Sequence, residues 1–179
     1  MGTKVLSLKP AYKCSWIEIH KAKIKLPNGV IAEWQKVVIP DFVAIVAVDK
    51  KKNIYLSKEW RVSWGKDILH LPAGSLDGKR GERQILQQAR NELREEIGLD
   101  AKKWQKLIFI QHNARIKLSV HLYLATDLFP SKKKADDDEI IKMVKMPFQK
   151  AYRLFKSGKI MTTSYTLLGM MLAKERLRI

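Results

Sequence analysis

A single amphipathic helix in the middle of the chain constrains the fold more than any other feature of the sequence. Residues 82–97 carry apolar side chains at helical spacing, and these form one stripe: Ile85, Leu86, Ala89, Leu93 and Ile97. Gly98 follows the stripe and predicts the end of the helix, because glycine readily adopts the left-handed conformation of a C-terminal cap. A helix with one apolar stripe has to cover another apolar layer, which the rest of the chain must supply.

The segments on either side of this helix mostly predict strands. Alternating or continuous apolar patterns occur at residues 16–26, 30–39, 42–48, 54–56 and 68–71 before the helix, and at residues 107–111, 118–125 and 140–144 after it. Pro27-Asn28-Gly29 joins the first two strands as a hairpin. Residues 147–156 and a segment from the Thr162-Thr163-Ser164 cap to about Arg176 predict two closing helices. This order predicts an α/β or α+β fold with mixed sheets on either side of the central helix.

The composition indicates a globular protein that attracts anions. The chain has 179 residues, enough for one sizeable core, and its 35 Lys and Arg against 18 Asp and Glu give a formal net charge of +17. This excess favours nucleic acid or phosphorylated small molecules as partners, although a basic surface can also serve solubility alone. No apolar stretch reaches the ~20 residues of a membrane span, and the N-terminus lacks the apolar core of a signal peptide. We therefore expect no membrane partner. The single Cys14 excludes an internal disulfide, which suits a reducing compartment, so a cytoplasmic location is expected.

Three carboxylates near the end of the central helix predict a cation site. Glu92, Glu95 and Glu96 fall within an arc of about 100° and repel one another. A Mg²⁺ ion relieves such repulsion, since it takes oxygen ligands from carboxylates and from substrate phosphates. The segment Leu71-Pro72-Ala73-Gly74 ends a strand and opens the connection to the helix, which allows backbone carbonyls to share the ion. The alternative is a solvated helix whose glutamates pair with Lys and Arg.

The same residues resemble the signature of the Nudix hydrolase family. Gly74 matches its opening glycine, and six later residues match its second half: Glu92, Leu93, Glu95, Glu96, Gly98 and Leu99. The Leu-Pro-Ala sequence before Gly74 and the segment Glu59-Trp60-Arg61 resemble the ADP-ribose pyrophosphatase branch of that family. The resemblance covers the chain from about residue 16 to the C-terminus. It implies a Nudix fold, in which helices sandwich mixed β-sheets, with an additional N-terminal antiparallel hairpin.

Two departures from the signature concern the helix that carries the carboxylates. Asn91 stands where the family has an arginine, and Arg90 lies one place earlier. The segment from Gly74 to Glu92 is longer than in the signature, so Glu82 is one position out of register as the middle glutamate. Because the three later glutamates are intact, we expect activity, at a reduced level.

The resemblance also implies roles for individual residues. Metal ligands are expected at Glu92, Glu95, Glu96 and the backbone carbonyl of Ala73, with Mg²⁺ as the ion and Mn²⁺ as an alternative. The catalytic base is expected to be Glu95 or an acid of the late loop 136–139, with Glu139 preferred because it adjoins a strand. Four residues are expected to bind substrate: Arg61 and Arg115 through phosphate, Trp60 through the base, and Gly74 beside them.

These roles predict hydrolysis of the diphosphate bond of a nucleoside diphosphate sugar, such as ADP-ribose, to a nucleoside monophosphate and a sugar phosphate. Two alternatives stay open: an RNA 5′-pyrophosphohydrolase, which the net charge favours, and a catalytically weak Nudix-like protein that binds nucleotides. By the same resemblance, residues 1–40 form a hairpin region that mediates a homodimer and shapes the base site, and residues 41–179 form the Nudix hydrolase domain.

Overall fold

The chain divides into two compact units. The computed structural model describes residues 2–76, 78, 81–111, 115–134 and 140–179. The first unit holds Met1–Asp41 and Ile110–Ser119, and the second unit holds Phe42–Phe109 and Val120–Ile179.

The described residues form eleven strands and three α-helices. In chain order the strands are β1 (Lys4–Lys13), β2 (Glu18–Lys25), β3 (Ile31–Val38), β4 (Phe42–Val48), β5 (Asn53–Arg61), β6 (Lys66–His70), β7 (Ala73–Ser75), β8 (Leu99–Gln111), β9 (Ile116–Lys117), β10 (Ser119–Pro130) and β11 (Lys142–Pro147). The helices are α1 (Glu82–Glu92), α2 (Phe148–Lys156) and α3 (Ser164–Leu177), and a π-helical turn, Leu93–Ile97, directly continues α1. The mixed α+β class predicted from the order of elements is confirmed.

The first unit is built on a four-stranded sheet in the order β1-β2-β3-β9. The first three strands are antiparallel, and β9 runs parallel to β3. The predicted hairpin between β2 and β3 is confirmed, with Gly29 at a φ of +86° in the turn. The sequence does not predict β1, because two irregularities, between Val5 and Ser7 and between Pro10 and Tyr12, break the alternation of its side chains.

The second unit contains a mixed sheet with β4 at its centre. The strand order is β11-β5-β4-β10-β8, and β6 and β7 pair with β5 and β4 respectively. β4 runs parallel to β10 and antiparallel to β5 and β7. Its apolar run is buried from Val43 to Val48, as expected for a strand that is covered on both faces.

Helices cover both faces of β4. Val43, Ile45 and Ala47 share one face and pack in a core with the apolar stripe of the central helix. On the other face, a Cβ atom added to Gly169 of α3 would lie 3.1 Å from Val46 Cγ2. The close approach of α3 therefore depends on the absence of a side chain at this position. The predicted arrangement of a mixed sheet between helices is confirmed.

Three elements of the second unit differ from the sequence-based expectation. The central helix changes at Leu93 from α to π geometry, and β7 pairs with β4 where a loop is expected. β8 begins at Leu99 rather than near residue 107, because lysines outnumber apolar residues between positions 102 and 106 and hide the strand pattern. In the part of the chain that the structure describes, no helix is both long and apolar enough to cross a membrane.

Candidate active site

Two glutamates of the central helix lie one turn apart and are both buried. Glu92 ends α1 and keeps 8% of its surface exposed, and Glu96, in the π-helical turn, keeps 7%. Single turns of π-helix are rare and occur frequently at functional sites. Gly98 then ends the helix at a φ of +77°, the left-handed conformation that the sequence predicts. Two carboxylates are thus held out of water near each other, which is unfavourable when both are ionised.

Gly74 allows β7 to lie directly against Glu92. A Cβ atom placed on Gly74 would be 2.0 Å from Glu92 Cδ and 2.1 Å from Glu92 Oε1. An added side chain would force this carboxylate to move, so the glycine is what lets β7 and the Glu92 carboxylate lie so close together. Gln88, one turn earlier in α1, donates through Nε2 to Glu92 Oε1. The carboxylate is therefore positioned by its own helix on one side and by the β7 backbone on the other.

Glu96 is held by the two strands that face it. Ser57 of β5 donates its hydroxyl to Glu96 Oε2, and the Ala73 N–H of β7 donates to Oε1 at 3.0 Å. Burial raises the pKa of Glu96 to about 8, against the lowering effect of these two hydrogen bonds, and the charges of Glu92 and Glu59 add to the rise. The carboxyl is therefore mostly protonated at neutral pH, and a cation beside it would favour the ionised form.

Glu59, Arg61 and His70 form a polar cluster on the paired strands β5 and β6. Arg61 Nη2 lies 2.7 Å from Glu59 Oε2 and 3.3 Å from His70 Nε2. His70 is fully buried and donates from Nδ1 to the Leu71 carbonyl at 2.8 Å. Ser57 and Arg61 are four residues apart on β5 and therefore share one face with Glu59. This face carries both the hydroxyl that holds the buried glutamate and the arginine expected to bind phosphate.

The start of α3 fixes the backbone that precedes β7. Thr166, which is fully buried, accepts from the Leu71 N–H through Oγ1 at 3.0 Å. Thr162, just before the helix, donates to the Leu69 carbonyl at 2.6 Å. Burial raises the pKa of the Tyr165 phenol to about 12, so this side chain stays neutral at physiological pH. The position of β7, and hence of its contacts with the two buried glutamates, depends on these bonds.

The structure brings four of the predicted metal-site and loop residues together: Ala73, Gly74, Glu92 and Glu96. Ala73 contacts Glu96 through its N–H, and its role as a carbonyl ligand stays a prediction. Glu95, in the same helical turn, is hydrogen-bonded through Oε1 to Lys133. Its predicted roles as metal ligand and base also stay predictions.

The remaining predicted site residues are Trp60, Arg115 and Glu139. Trp60 is 56% exposed and, as the neighbour of Arg61 in β5, projects to the opposite face of the strand. Arg115 belongs to the first unit, where its guanidinium lies 5.5 Å from the centre of the Trp34 ring. Glu139 lies outside the described residues. The substrate-binding and catalytic roles assigned to these residues remain predictions.

The positions that depart from the family signature have their own partners in the second unit. Glu82 is largely exposed and pairs with Lys106 of β8, and Arg90 lies 3.4 Å from Asp100 of the same strand. Asn91 accepts a hydrogen bond through Oδ1 from Gln87 Nε2, one turn earlier in α1. Arg90 is therefore bound to β8 rather than available to orient a glutamate of the π-helical turn.

Sequence reasoning assigns no role to four polar residues of this site: Ser57, Glu59, His70 and Thr166. The sequence could have indicated Ser57 and Glu59, because they alternate with Arg61 along one strand and must share its face. No sequence pattern indicates His70 or Thr166, since only the pairing of β6 with β5 and the packing of α3 bring them to the site.

The carboxylate oxygens of Glu92 and Glu96 are ligands that suit a magnesium ion. Within the described ranges, no group of three or more His, Cys, Asp or Glu side chains converges as a ready-made metal cage. Mg²⁺ does not require one, since it is usually bound through one or two carboxylates together with water and substrate phosphates. Two buried carboxylates on one helical turn, one with a strongly raised pKa, supply the hard oxygen ligands that this coordination needs.

Relatives of known name match much of the chain. An ADP-ribose pyrophosphatase of Bacillus subtilis (strain 168) is 28% identical over 161 residues, which cover 88% of this chain and 85% of the relative. An ADP-ribose pyrophosphatase of Mycobacterium tuberculosis (strain ATCC 25618 / H37Rv) is 39% identical over 111 residues, which cover 62% of this chain and 53% of the relative. A methanol dehydrogenase activator of Bacillus methanolicus is 26% identical over 160 residues, which cover 88% of this chain and 85% of that relative. No family model matches the chain.

A solved structure shows the same fold. An ADP compounds hydrolase aligns with a TM-score of 0.85 at 17% identity, and the alignment covers 99% of this chain and 95% of that chain. The predicted Nudix fold is thereby confirmed. The signature residues, the fold and the named relatives agree, and the chain is therefore similar to the ADP-ribose pyrophosphatase branch of the Nudix hydrolase family.

Proposed function

We propose that the chain hydrolyses the diphosphate bond of a nucleoside diphosphate sugar, with ADP-ribose as the first candidate, to a nucleoside monophosphate and a sugar phosphate. The observation that carries this proposal is the pair of buried carboxylates, Glu92 and Glu96, held one turn apart beside the Gly74 backbone. Two relatives named ADP-ribose pyrophosphatase and a fold shared with an ADP compounds hydrolase support the substrate class.

The chemistry requires the charge of the diphosphate to be neutralised, because its oxygens repel a nucleophile. Bound Mg²⁺, with Mn²⁺ as the alternative, supplies this neutralisation and polarises water. Glu92 and Glu96 are the proposed ligands, and hydrogen bonds from Ser57 and Ala73 keep the Glu96 carboxylate in one orientation. A water oxygen forms a bond to one phosphorus, the bridging P–O bond breaks, and a proton of the water passes to a carboxylate.

Residues around the two ligands have proposed roles in binding and proton transfer. Arg61 is suited to hold a phosphate, because a guanidinium can donate two parallel hydrogen bonds to one phosphate group. Glu59 and His70 contact this guanidinium and set its direction before substrate binds. Glu95 and Glu139 are the proposed proton acceptors. Three further proposed substrate contacts are Trp60, Gly74 and Arg115.

A homodimer formed through the first unit is also proposed. The strand register places Val5, Leu8 and Trp34 on one face of its sheet, where they are 66%, 46% and 39% exposed. Exposed apolar side chains gathered in one patch mark an interaction surface. The resemblance to the ADP-ribose branch favours a second copy of the chain as the partner.

The free and exposed Cys14 supports a reducing, cytoplasmic location.

RNA 5′-pyrophosphohydrolase activity is the second candidate, and it is favoured by the net charge of +17. The two candidates differ in their response to salt. Hydrolysis of RNA is expected to weaken steeply as salt rises, because many phosphate contacts release counterions, whereas a small nucleotide makes few such contacts.

The test is turnover of ADP-ribose, other nucleoside diphosphate sugars and 5′-triphosphate RNA by the full chain in Mg²⁺. Glu96→Gln keeps the shape of the side chain and is expected to lower kcat/KM for ADP-ribose by roughly 10²-fold or more. Glu82→Gln is the matched control on the same helix, because Glu82 is exposed and pairs with Lys106. This control is expected to change kcat/KM by less than about 3-fold.

The remaining outcomes separate the candidates. Turnover confined to RNA would favour the second candidate. Equal losses in Glu96→Gln and Glu82→Gln would contradict the proposed role of Glu96. No turnover of any substrate would contradict the proposed function and leave a protein that binds nucleotides without cutting them.

A further inference from the structure

We propose that one face of the sheet in the first unit binds single-stranded nucleic acid. This surface, the basic face, carries five exposed lysines: Lys4, Lys9, Lys21, Lys23 and Lys25. All of them belong to the first unit, and the binding is independent of the hydrolase activity proposed above.

Strand pairing places these lysines on the same side of the sheet. Lys4 is paired with Lys25, and Lys9 with Lys21, in the register of β1 and β2. Directly paired residues project to the same face. Lys23 lies at the alternate position of β2 between Lys21 and Lys25, so it projects the same way, whereas the residues between these lysines are buried. The three lysines of β2 form a line roughly 13 Å long.

The arrangement is unfavourable for the sheet on its own. Two directly opposed lysine pairs place like charges at close range, which is destabilising. Within the described strands of this sheet, the basic face carries one carboxylate, Glu33, which lies opposite Lys23 and 3.9 Å from Lys21 Nζ. Both partners of that ion pair are about 60% exposed, and such a pair contributes little. A bound polyanion would neutralise the excess positive charge along the line.

An exposed aromatic ring continues the line of lysines. Tyr12 is paired with Ile19, at the alternate position of β2 from Lys21, and therefore projects to the basic face. Its side chain is 57% exposed. A basic track for phosphates combined with an aromatic platform for a base is the way in which proteins bind single strands without reading sequence. This combination favours nucleic acid over an anionic membrane, which supplies charge but no rings to stack.

The test is the affinity of the full chain for a short fluorescein-labelled single-stranded RNA of mixed sequence, measured by fluorescence anisotropy over a series of KCl concentrations. The combined variant K9Q/K21Q/K23Q/K25Q is expected to weaken binding by about 10-fold or more. It is also expected to reduce the slope of log Kd against log salt by about 2 to 3, since each phosphate contact contributes roughly 0.7.

A matched variant controls for net charge. K51Q/K150Q/K156Q/K159Q removes the same charge from exposed lysines of the second unit. It is expected to change Kd by less than about 3-fold, because long-range attraction is screened by salt. Tyr12→Ser is expected to weaken binding by roughly 5- to 100-fold at an unchanged salt slope, since it removes stacking and no charge. A DNA strand of the same sequence is expected to bind comparably, because stacking and phosphate contacts need no 2′-hydroxyl group.

Thermal denaturation verifies that each variant is folded, and the glutamine variant of the basic face is expected to keep or raise its Tm because repulsion falls. Absence of RNA and DNA binding in the wild type overturns the proposal, as does equal weakening by the two quadruple variants. Lysine-dependent binding to phosphatidylserine vesicles without binding to RNA would also overturn it, because the face would then serve a membrane surface.

Discussion

Glu96 has to carry a negative charge in its proposed role as a metal ligand, but its surroundings oppose charge. Burial, with added effect from the charges of Glu92 and Glu59, raises its pKa from an ordinary value of 4.5 to about 8. The hydrogen bonds from Ser57 and Ala73 orient the carboxyl but do not offset its burial. The side chain is therefore already oriented before a cation binds. It ionises fully at neutral pH only when a cation balances its charge.

This coupling predicts a pH-dependent stability in the metal-free protein. Above pH 4.5 the unfolded chain releases the Glu96 proton, whereas the folded chain keeps it until about pH 8. The free energy of unfolding is therefore expected to fall as pH rises through this window, by an amount on the order of a few kcal/mol, and to level off above it. Chemical denaturation in EDTA at a series of pH values measures the slope.

Two comparisons make this prediction specific to Glu96. Glu96→Gln has no proton to release, so its stability is expected to vary less between pH 4.5 and about 8 than that of the wild type. Mg²⁺ is proposed to bind the ionised carboxylate, so its stabilising effect on the wild type is expected to be larger near pH 8 than near pH 6. Identical pH slopes in the two proteins would contradict the assignment.

At the residue scale, local spacing decides what a sequence can predict. Glu92 and Glu96 could be identified because positions four apart on a helix project together. Ser57 lies 39 residues before Glu96, and its contact depends on how β5 is placed against the helix. His70 reaches the site because it pairs with Ser57 in the register of β5 and β6. That register follows from the turn and the packing of the whole sheet rather than from either residue.

At the scale of elements, the approach of β7 to α1 depends on one missing side chain. Gly74→Ala would place a Cβ atom 2.0 Å from Glu92 Cδ, so the carboxylate or the strand has to move. We expect kcat/KM to fall by roughly 10- to 100-fold, with weaker Mg²⁺ binding, because a displacement of about 1 Å at a reacting centre has effects of this size. Steady-state kinetics and calorimetric titration of Mg²⁺ measure the two effects.

Gly81→Ala provides the matched control. Gly81 precedes α1 in extended conformation, and an added Cβ atom would lie 3.7 Å from the nearest atom, Gln84 Oε1. It is expected to change kcat/KM by less than about 2-fold, although replacing the glycine N-cap by alanine can lower stability by about 0.5 to 1 kcal/mol. If Gly74→Ala retained full activity, the close packing of β7 on Glu92 would not matter for function.

The sequence predicts elements well where their pattern is regular. The apolar stripe and Gly98 predict the central helix and its end, but not the change to π geometry at Leu93. That change shifts the periodicity within a single turn, which a stripe of five residues does not resolve. The strand β1 is missed for a related reason, since its two irregularities interrupt the alternation on which a strand prediction depends.

At the scale of the whole molecule, composition gives the amount of charge but not its distribution. The sequence shows a net charge of +17 without any long basic run. Pairing of β1, β2 and β3 places the five lysines of the basic face on one side of the sheet and Val5, Leu8 and Trp34, here called the apolar face, on the other. Only the strand register makes this separation visible, because the lysines and the apolar residues alternate along the chain. The two faces can then serve different partners.

We expect the apolar face to hold two copies of the chain together. Light scattering should give a mass near twice the 20.7 kDa of one chain. Leu8→Glu buries a charge in the interface and is expected to weaken the dimer by roughly 10²-fold or more, so that the variant is a monomer at low concentration. Ser7→Glu adds the same charge one residue away on the basic face, opposite Lys23, and should leave the dimer intact. A wild type that stays monomeric at every concentration, or equal dissociation of the two variants, would assign the exposed apolar residues to another partner.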